Sequence, residues 1–146
     1  MDVEQIVYKE HILAFILRND FDHQGIHFFT PDDFSQQLAH MRRPGGYVID
    51  PHVHNAVPRK IEWTLEVLFI KRGKVRVDFY DQKRIYLESR VLTQGDVILL
   101  AQGGHGFTML EESEIIEVKQ GPYAGDQDKT RFSGIKDNQV QFKDPS

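Results

Sequence analysis

The chain has 146 residues, which is enough for one domain with a core of its own. Its hydrophobic fraction of 40% and charged fraction of 27% are those of an ordinary folded protein, and its net charge of −4 argues against binding to nucleic acid, which requires a basic face. The absence of cysteine excludes disulfides, thiolate metal sites and cysteine nucleophiles.

Residues 1–45 are predicted to form an N-terminal strand and a short helix that pack on the rest of the domain. Met1–Gln5 lacks the basic and apolar runs of a signal peptide. The apolar run Ile12–Leu17, within the predicted strand His11–Arg18, is too short to cross a bilayer. We therefore expect a cytoplasmic protein without a membrane partner.

The helix of this segment is predicted from a set of residues typical of a helix start. Thr30 can cap a helix, Pro31 fits its first position, and Asp32–Asp33 favours the positive end of the helix dipole. The helix is expected to run to about His40.

Short apolar segments separated by turn residues follow Gly46, a pattern that is typical of a β-sandwich or barrel. Residues 46–121 are therefore predicted to form the barrel core, and residues 122–146 a polar tail. The predicted strands are Val48–His54, Leu65–Ile70, Val75–Tyr80, Ile85–Leu87 with Val91–Leu92, Val97–Leu100, His105–Met109 and Ile115–Gln120.

His52 and His54 stand two positions apart in one of these predicted strands, so both side chains would point to the same face. Imidazole and carboxylate groups are ligands that suit Fe, Zn, Ni, Cu or Mn. Such a pair by itself is more often two exposed or ordinary packing histidines. The prediction that this pair belongs to a metal site depends on the glycines around it and on Glu66 and His105 further along the chain.

The motif Gly46-x5-His52-x-His54, with Glu66-x6-Gly73, resembles the first motif of the cupin superfamily, and Gly95–His105 resembles the second. The resemblance implies an all-β double-stranded β-helix, a jelly-roll barrel, with a divalent transition metal near one mouth. Fe(II) is favoured, with Mn, Ni or Zn as alternatives. The implied ligands are His52, His54, Glu66 and His105.

Two departures from the family pattern affect the ligands. The loop Asn55–Leu65 is longer than is usual in cupins and is interpreted as an insertion. His105 comes one residue early, and Gly103–Gly104 could absorb that shift because glycine adopts bends that other residues cannot.

Other residues are predicted to line or overhang the mouth of the barrel, where loops often carry specificity. The cations and the indole of the inserted loop would suit an anionic or hydroxylated ligand, although a solvated loop explains them equally well. In the last strand, alternation places Ile116, Val118 and Gln120 inside. The candidate substrate-binding residues are Arg59, Lys60, Trp63, Phe107, Met109 and Gln120.

Leu65, Val67 and Phe69 are apolar and lie on the face of their strand opposite Glu66. The opening strand is the expected cover, either from the same chain or from a partner. Cupins commonly dimerise, so a homodimer is expected.

The predicted function is metal-dependent action on a small organic molecule, as an oxygenase (an oxidoreductase) or an isomerase. No catalytic residue is singled out. Two alternatives stay open: a metal-independent sugar-nucleotide epimerase or isomerase with histidine, tyrosine or aspartate as acid and base, and a non-catalytic module that binds a small molecule. Fold alone does not decide among them.

Overall fold

The structure, a computed structural model, describes residues 2–143 as three antiparallel β-sheets and two short 3₁₀ helices, Gly125–Asp128 and Asp137–Gln139. Residue 1 and residues 144–146, the outer ends of the predicted N-terminal segment and tail, lie outside the described residues. No helix within 2–143 has the length and hydrophobicity needed to cross a membrane. The strands are β1 (Glu4–Tyr8), β2 (His11–Leu17), β3 (Gly25–Phe28), β4 (Ala39–Arg42), β5 (Glu66–Arg72), β6 (Lys74–Tyr80), β7 (Tyr86–Thr93), β8 (Val97–Leu100), β9 (Gly104–Met109) and β10 (Glu114–Lys119).

Two sheets enclose the main core. The five-stranded sheet has the order β1-β2-β8-β5-β10, and the three-stranded sheet has the order β7-β6-β9. Ile16, Ile98 and Leu68 are aligned on β2, β8 and β5, and they form one buried cluster with Val77 and Phe79 of β6. The alternation of apolar residues along each strand thus places one face of each sheet in a shared core.

The opposite face of the five-stranded sheet is also apolar. Phe15, Leu99 and Val67 are aligned there, and Phe34 and Leu38 of the segment between β3 and β4 pack on them. The Phe15 and Phe34 rings meet edge to face at 6.0 Å. The opening strand was expected to cover this face, but it instead pairs with β8 within the same sheet.

The predicted N-terminal helix is wrong. Residues 31–38 form turns and bends, and the chain then enters β4, which pairs with β3. Instead of capping a helix, the Thr30 hydroxyl donates to Gln37 Oε1 at 2.7 Å and accepts from the Leu38 amide at 3.2 Å. These bonds close a loop that brings Phe34 and Leu38 onto the sheet, so tertiary packing overrides the local helix signal.

The expected closed barrel is also wrong, because the sheets remain separate and leave β1, β10, β7 and β9 as edges. The predicted strand Val48–His54 does not form, and residues 43–65 contain neither helix nor strand. The two apolar pieces expected at 85–92 are one strand, β7. The coarser prediction, an all-β fold of antiparallel sheets, is confirmed.

Candidate functional site

Glu66 and His105 meet at one end of the sandwich. Glu66 begins β5, His105 lies near the start of β9, and His105 Nε2 is 3.2 Å from Glu66 Oε2. This hydrogen bond lowers the pKa of the Glu66 carboxyl below its usual value, with added attraction from Lys119 and Lys129. An ionised carboxylate only accepts hydrogen bonds, so His105 Nε2 is the donor and Nδ1 is the nitrogen left to take up a proton.

A cavity of about 1080 Å³ surrounds this pair. The residues of β9 that line the cavity come from both faces of the strand: His105 and Phe107 from one face, Gly104 and Gly106 from the other. The cavity therefore extends around this edge strand. Polar residues outnumber apolar ones in the lining as a whole. Further lining residues are Trp63, Leu68, Arg84, Glu117, Lys129 and Arg131.

The tail forms another wall of the cavity. The Phe132 ring packs edge to face on Tyr80 at 5.0 Å, and the Tyr80 hydroxyl accepts a hydrogen bond of 2.9 Å from the Ile135 amide. Thr64, just before β5, donates to the Asp128 carboxylate and lowers its pKa. The tail is therefore held over the sheets by contacts at both ends of this wall.

Two arginines face this cavity without an ion-pair partner in the described part of the chain. Arg84 stacks on the Phe132 ring, 5.6 Å from its centroid, and Arg131 lies next to that ring in sequence. Arg76, by contrast, is paired with Asp78 at 2.9 Å and with Asp137 at 3.1 Å. Arg84 and Arg131 are thus the guanidinium groups that remain able to bind an anionic group of a ligand.

His52 and His54 lie elsewhere, on the exposed segment before β5. Their rings contact each other at 5.2 Å, and His52 Nδ1 is 2.8 Å from the Asp50 carbonyl oxygen. Within residues 2–143, no three His, Asp or Glu side chains are placed to hold one metal ion. The four predicted ligands therefore form two separate pairs, and as placed in a single chain they do not fit the implied metal centre.

The predicted substrate-binding residues are divided. Trp63 and Phe107 line the cavity, whereas Arg59 and Met109 lie outside its lining. Lys60 also lies outside it, paired with Glu62 at 3.0 Å.

Gln120 follows β10, and its side chain donates to the Gly121 carbonyl rather than into the cavity. The inward orientation predicted for Ile116 and Val118 is wrong, because both are exposed and the alternate residue Glu117 lines the cavity. The strand carries apolar residues on both faces, Ile115 on the face of Glu117 and Ile116 with Val118 on the other, so alternation by itself does not say which face is buried.

Several cavity residues have no motif or periodic pattern in the sequence that points to a role. Arg131 and Phe132 lie in a tail with little periodicity, and Arg84 lies in a turn. The basic and aromatic pair Arg131–Phe132 was the available signal, but only the path of the tail over the sheets shows which site it reaches.

Comparison with protein-family models, with curated proteins and with solved structures found no match to this chain. The likeness to cupins therefore rests on the motifs of its sequence.

Proposed function

We propose that this protein is a cupin-like jelly roll that binds a small organic molecule with an anionic group and transfers a proton within it, as an isomerase or epimerase does. The observation that carries the proposal is the hydrogen bond between His105 and Glu66 in the wall of a cavity large enough for such a molecule. The jelly-roll topology is proposed from the two facing antiparallel sheets and the cupin-like motifs.

Glu66 would act as a positioning residue. Its carboxylate fixes the tautomer of His105 by accepting from Nε2, and it stabilises the imidazolium that forms when Nδ1 accepts a proton. The proton removed from a carbon next to a carbonyl group would return to the same or a neighbouring carbon, so that no oxidant is needed. Arg84 and Arg131 would hold the anionic group of the substrate during this transfer.

The test begins with a screen of sugar phosphates, nucleotide sugars and small hydroxy or keto acids by thermal shift. A compound that binds is then incubated with the protein in heavy water, and exchange of its C–H protons is followed by proton NMR. We expect exchange with the parent, and a loss of about 100-fold or more in His105→Gln with binding retained. His11→Gln, which changes an exposed histidine on β2, is the control and should exchange like the parent.

Full exchange in His105→Gln would contradict the role of His105. Tight binding without any exchange in the parent would instead favour a non-catalytic binding module.

A metal-dependent reaction is the second candidate, since His52 with His54 and Glu66 with His105 are two close pairs of metal-binding side chains. Elemental analysis of protein purified without a histidine tag tests it. If this candidate is correct, we expect about one divalent transition metal per chain in the parent. The double variant His52→Ala, His54→Ala should have lost this metal. Full metal content in that variant would rule out these two ligands.

A further inference from the structure

Residues 44–62, here called the arm, lie in the exposed connection from β4 to β5 and contain neither helix nor strand. Every residue from 41 to 63 is exposed. The hydrogen bonds, ion pairs and ring contacts that residues 44–62 make all lie between Arg43 and Glu62, for example Tyr47 with Arg43 and Lys60 with Glu62. Among the described residues, no hydrogen bond, ion pair or ring contact therefore ties the arm to the body of the protein.

The arm is nevertheless rich in apolar residues, which distinguishes it from a solvated loop. Val53 is 85% exposed, a value that leaves almost the whole side chain in water. A flexible linker would be expected to carry small and polar residues instead. The exposed apolar residues of the arm are Tyr47, Val48, Ile49, Val53, Val57 and Ile61.

A second apolar surface lies uncovered on the same chain. Phe69 of β5 is aligned with Ile116 of β10, and Val118 lies two residues further on the same face. They are 39%, 51% and 59% exposed respectively, because the segment that covers the rest of this face packs over β2 and β8 instead. These three residues, called the outer patch, lie on the edge strand of the sheet and its neighbour.

We propose that the arm docks on the outer patch of a second copy of this chain, and that two copies exchange arms to form a dimer. Each chain carries both halves of the contact, which is the property that a two-fold symmetric dimer requires. The arm has two acidic residues, Asp50 and Glu62, and two basic residues, Arg59 and Lys60, so its formal charge is zero and it adds no net charge to the contact with the outer patch.

The exposed apolar side chains and the length of the arm are both sufficient for docking on a second copy of the chain. The arm and the outer patch together expose nine large apolar side chains per chain, and the area that they would bury in a dimer is comparable with the roughly 800 Å² per partner of a standard interface. The arm is tethered at both ends, and its 19 residues can extend out and back by about 30 Å, which exceeds the radius of a domain of this size.

The test is the mass of the full chain in solution. Light scattering at about 50 μM should give a dimer, twice the 17.0 kDa of the chain. The arm variant Val48→Ser, Ile49→Ser and the patch variant Ile116→Thr, Val118→Thr should each dissociate at least tenfold more readily than the parent. Threonine keeps the β propensity of the edge strand, and circular dichroism verifies the fold of both variants. Tyr123→Ser, which removes an 88% exposed aromatic side chain elsewhere, is the matched control and should remain a dimer.

A mixture distinguishes arm-to-patch docking from other modes of association. The arm variant retains an intact patch and the patch variant an intact arm, so an equimolar mixture should form one good contact and associate more strongly than either variant by itself. A parent protein that is monomeric would overturn the proposal. The arm would then either fold back onto its own chain or bind a different partner. A dimer that survives both pairs of substitutions, or a mixture no stronger than its components, would overturn it as well.

Discussion

At the scale of single residues, Asp96 shows that part of the cupin-like second motif has a structural role. One carboxylate oxygen of Asp96 accepts from the Asn19 amide at 2.9 Å, and the other accepts from the Thr93 amide at 2.8 Å and from Arg18 at 2.9 Å. The side chain is buried and fully engaged. The Gly95–Asp96 pair thus fixes the turn before β8 and does not belong to the candidate site.

Glu66 provides a pH-dependent prediction at the same scale. Its pKa is lowered in the folded state, so its ionised form stabilises the fold at pH values above its unfolded pKa of about 4.3. This contribution is lost as the pH falls through the lowered pKa. Glu66→Gln should reduce the free energy of unfolding by about 1 kcal/mol at pH 7, and the difference from the parent should shrink as the pH falls towards about 3.

Urea unfolding of the parent and the variant at both pH values measures this difference. Glu10→Gln, at an exposed turn, serves as the control and should follow the parent throughout. A loss of stability in Glu66→Gln that is the same at pH 7 and pH 3 would show that packing, and not charge, is what the variant disturbs.

At the scale of elements, the segment between β3 and β4 is a packing layer for the outer face of the large sheet. Leu38 is 9% exposed and contacts the cluster around Phe15 and Leu99. Leu38→Ala should lower the free energy of unfolding by about 2–3 kcal/mol, through lost burial and the cavity that it leaves. Phe28→Ala in β3, where the ring is 62% exposed, is the control and should cost much less. Equal losses in thermal or denaturant unfolding would contradict the assignment of this layer.

The sequence predicts the strands that have a clear apolar pattern, and it fails where long-range contacts decide. β2, β6, β8 and β9 follow the predictions closely, and the Gly73 turn fits because its φ of 101° is one that glycine adopts readily. The helix after Thr30 fails because its residues bond to Gln37 and Leu38 and pack on a distant sheet.

The candidate site shows the same division. Glu66 and His105, two residues far apart in the sequence, lie within hydrogen-bond distance of each other. The expectation for His52 and His54 depended on a strand that does not form, so alternation could not place them. The contribution of the tail to the cavity could not be predicted without the path of the chain. Arg131 and Phe132 are placed at the cavity by the contacts of the tail with Tyr80.

At the scale of the whole molecule, β10 lies between the two surfaces for which a function is proposed, the cavity and the outer patch. Glu117 lines the cavity, while Ile116 and Val118 on either side of it point to the outer patch. A dimer that covers the patch would therefore hold the strand that bears one wall of the cavity. The two proposals remain separable, because the substitutions that test the dimer leave the cavity residues in place.

The order of the large sheet also constrains how the chain folds. β8 lies between β2 and β5, so its pairing with β2 requires residues more than eighty positions apart, Ala14 and Leu100 among them, to meet. The entropy of closing so long a loop is lost before the pairing stabilises the chain, whereas β6 and β7 are neighbours that form a local hairpin. We expect refolding on a timescale of milliseconds to seconds, with the hairpin formed in the transition state and β8 added late. Stopped-flow measurements should show that Val77→Ala in β6 slows folding, while Ile98→Val in β8 mainly accelerates unfolding, and the reverse pattern would place the central strand in the folding nucleus.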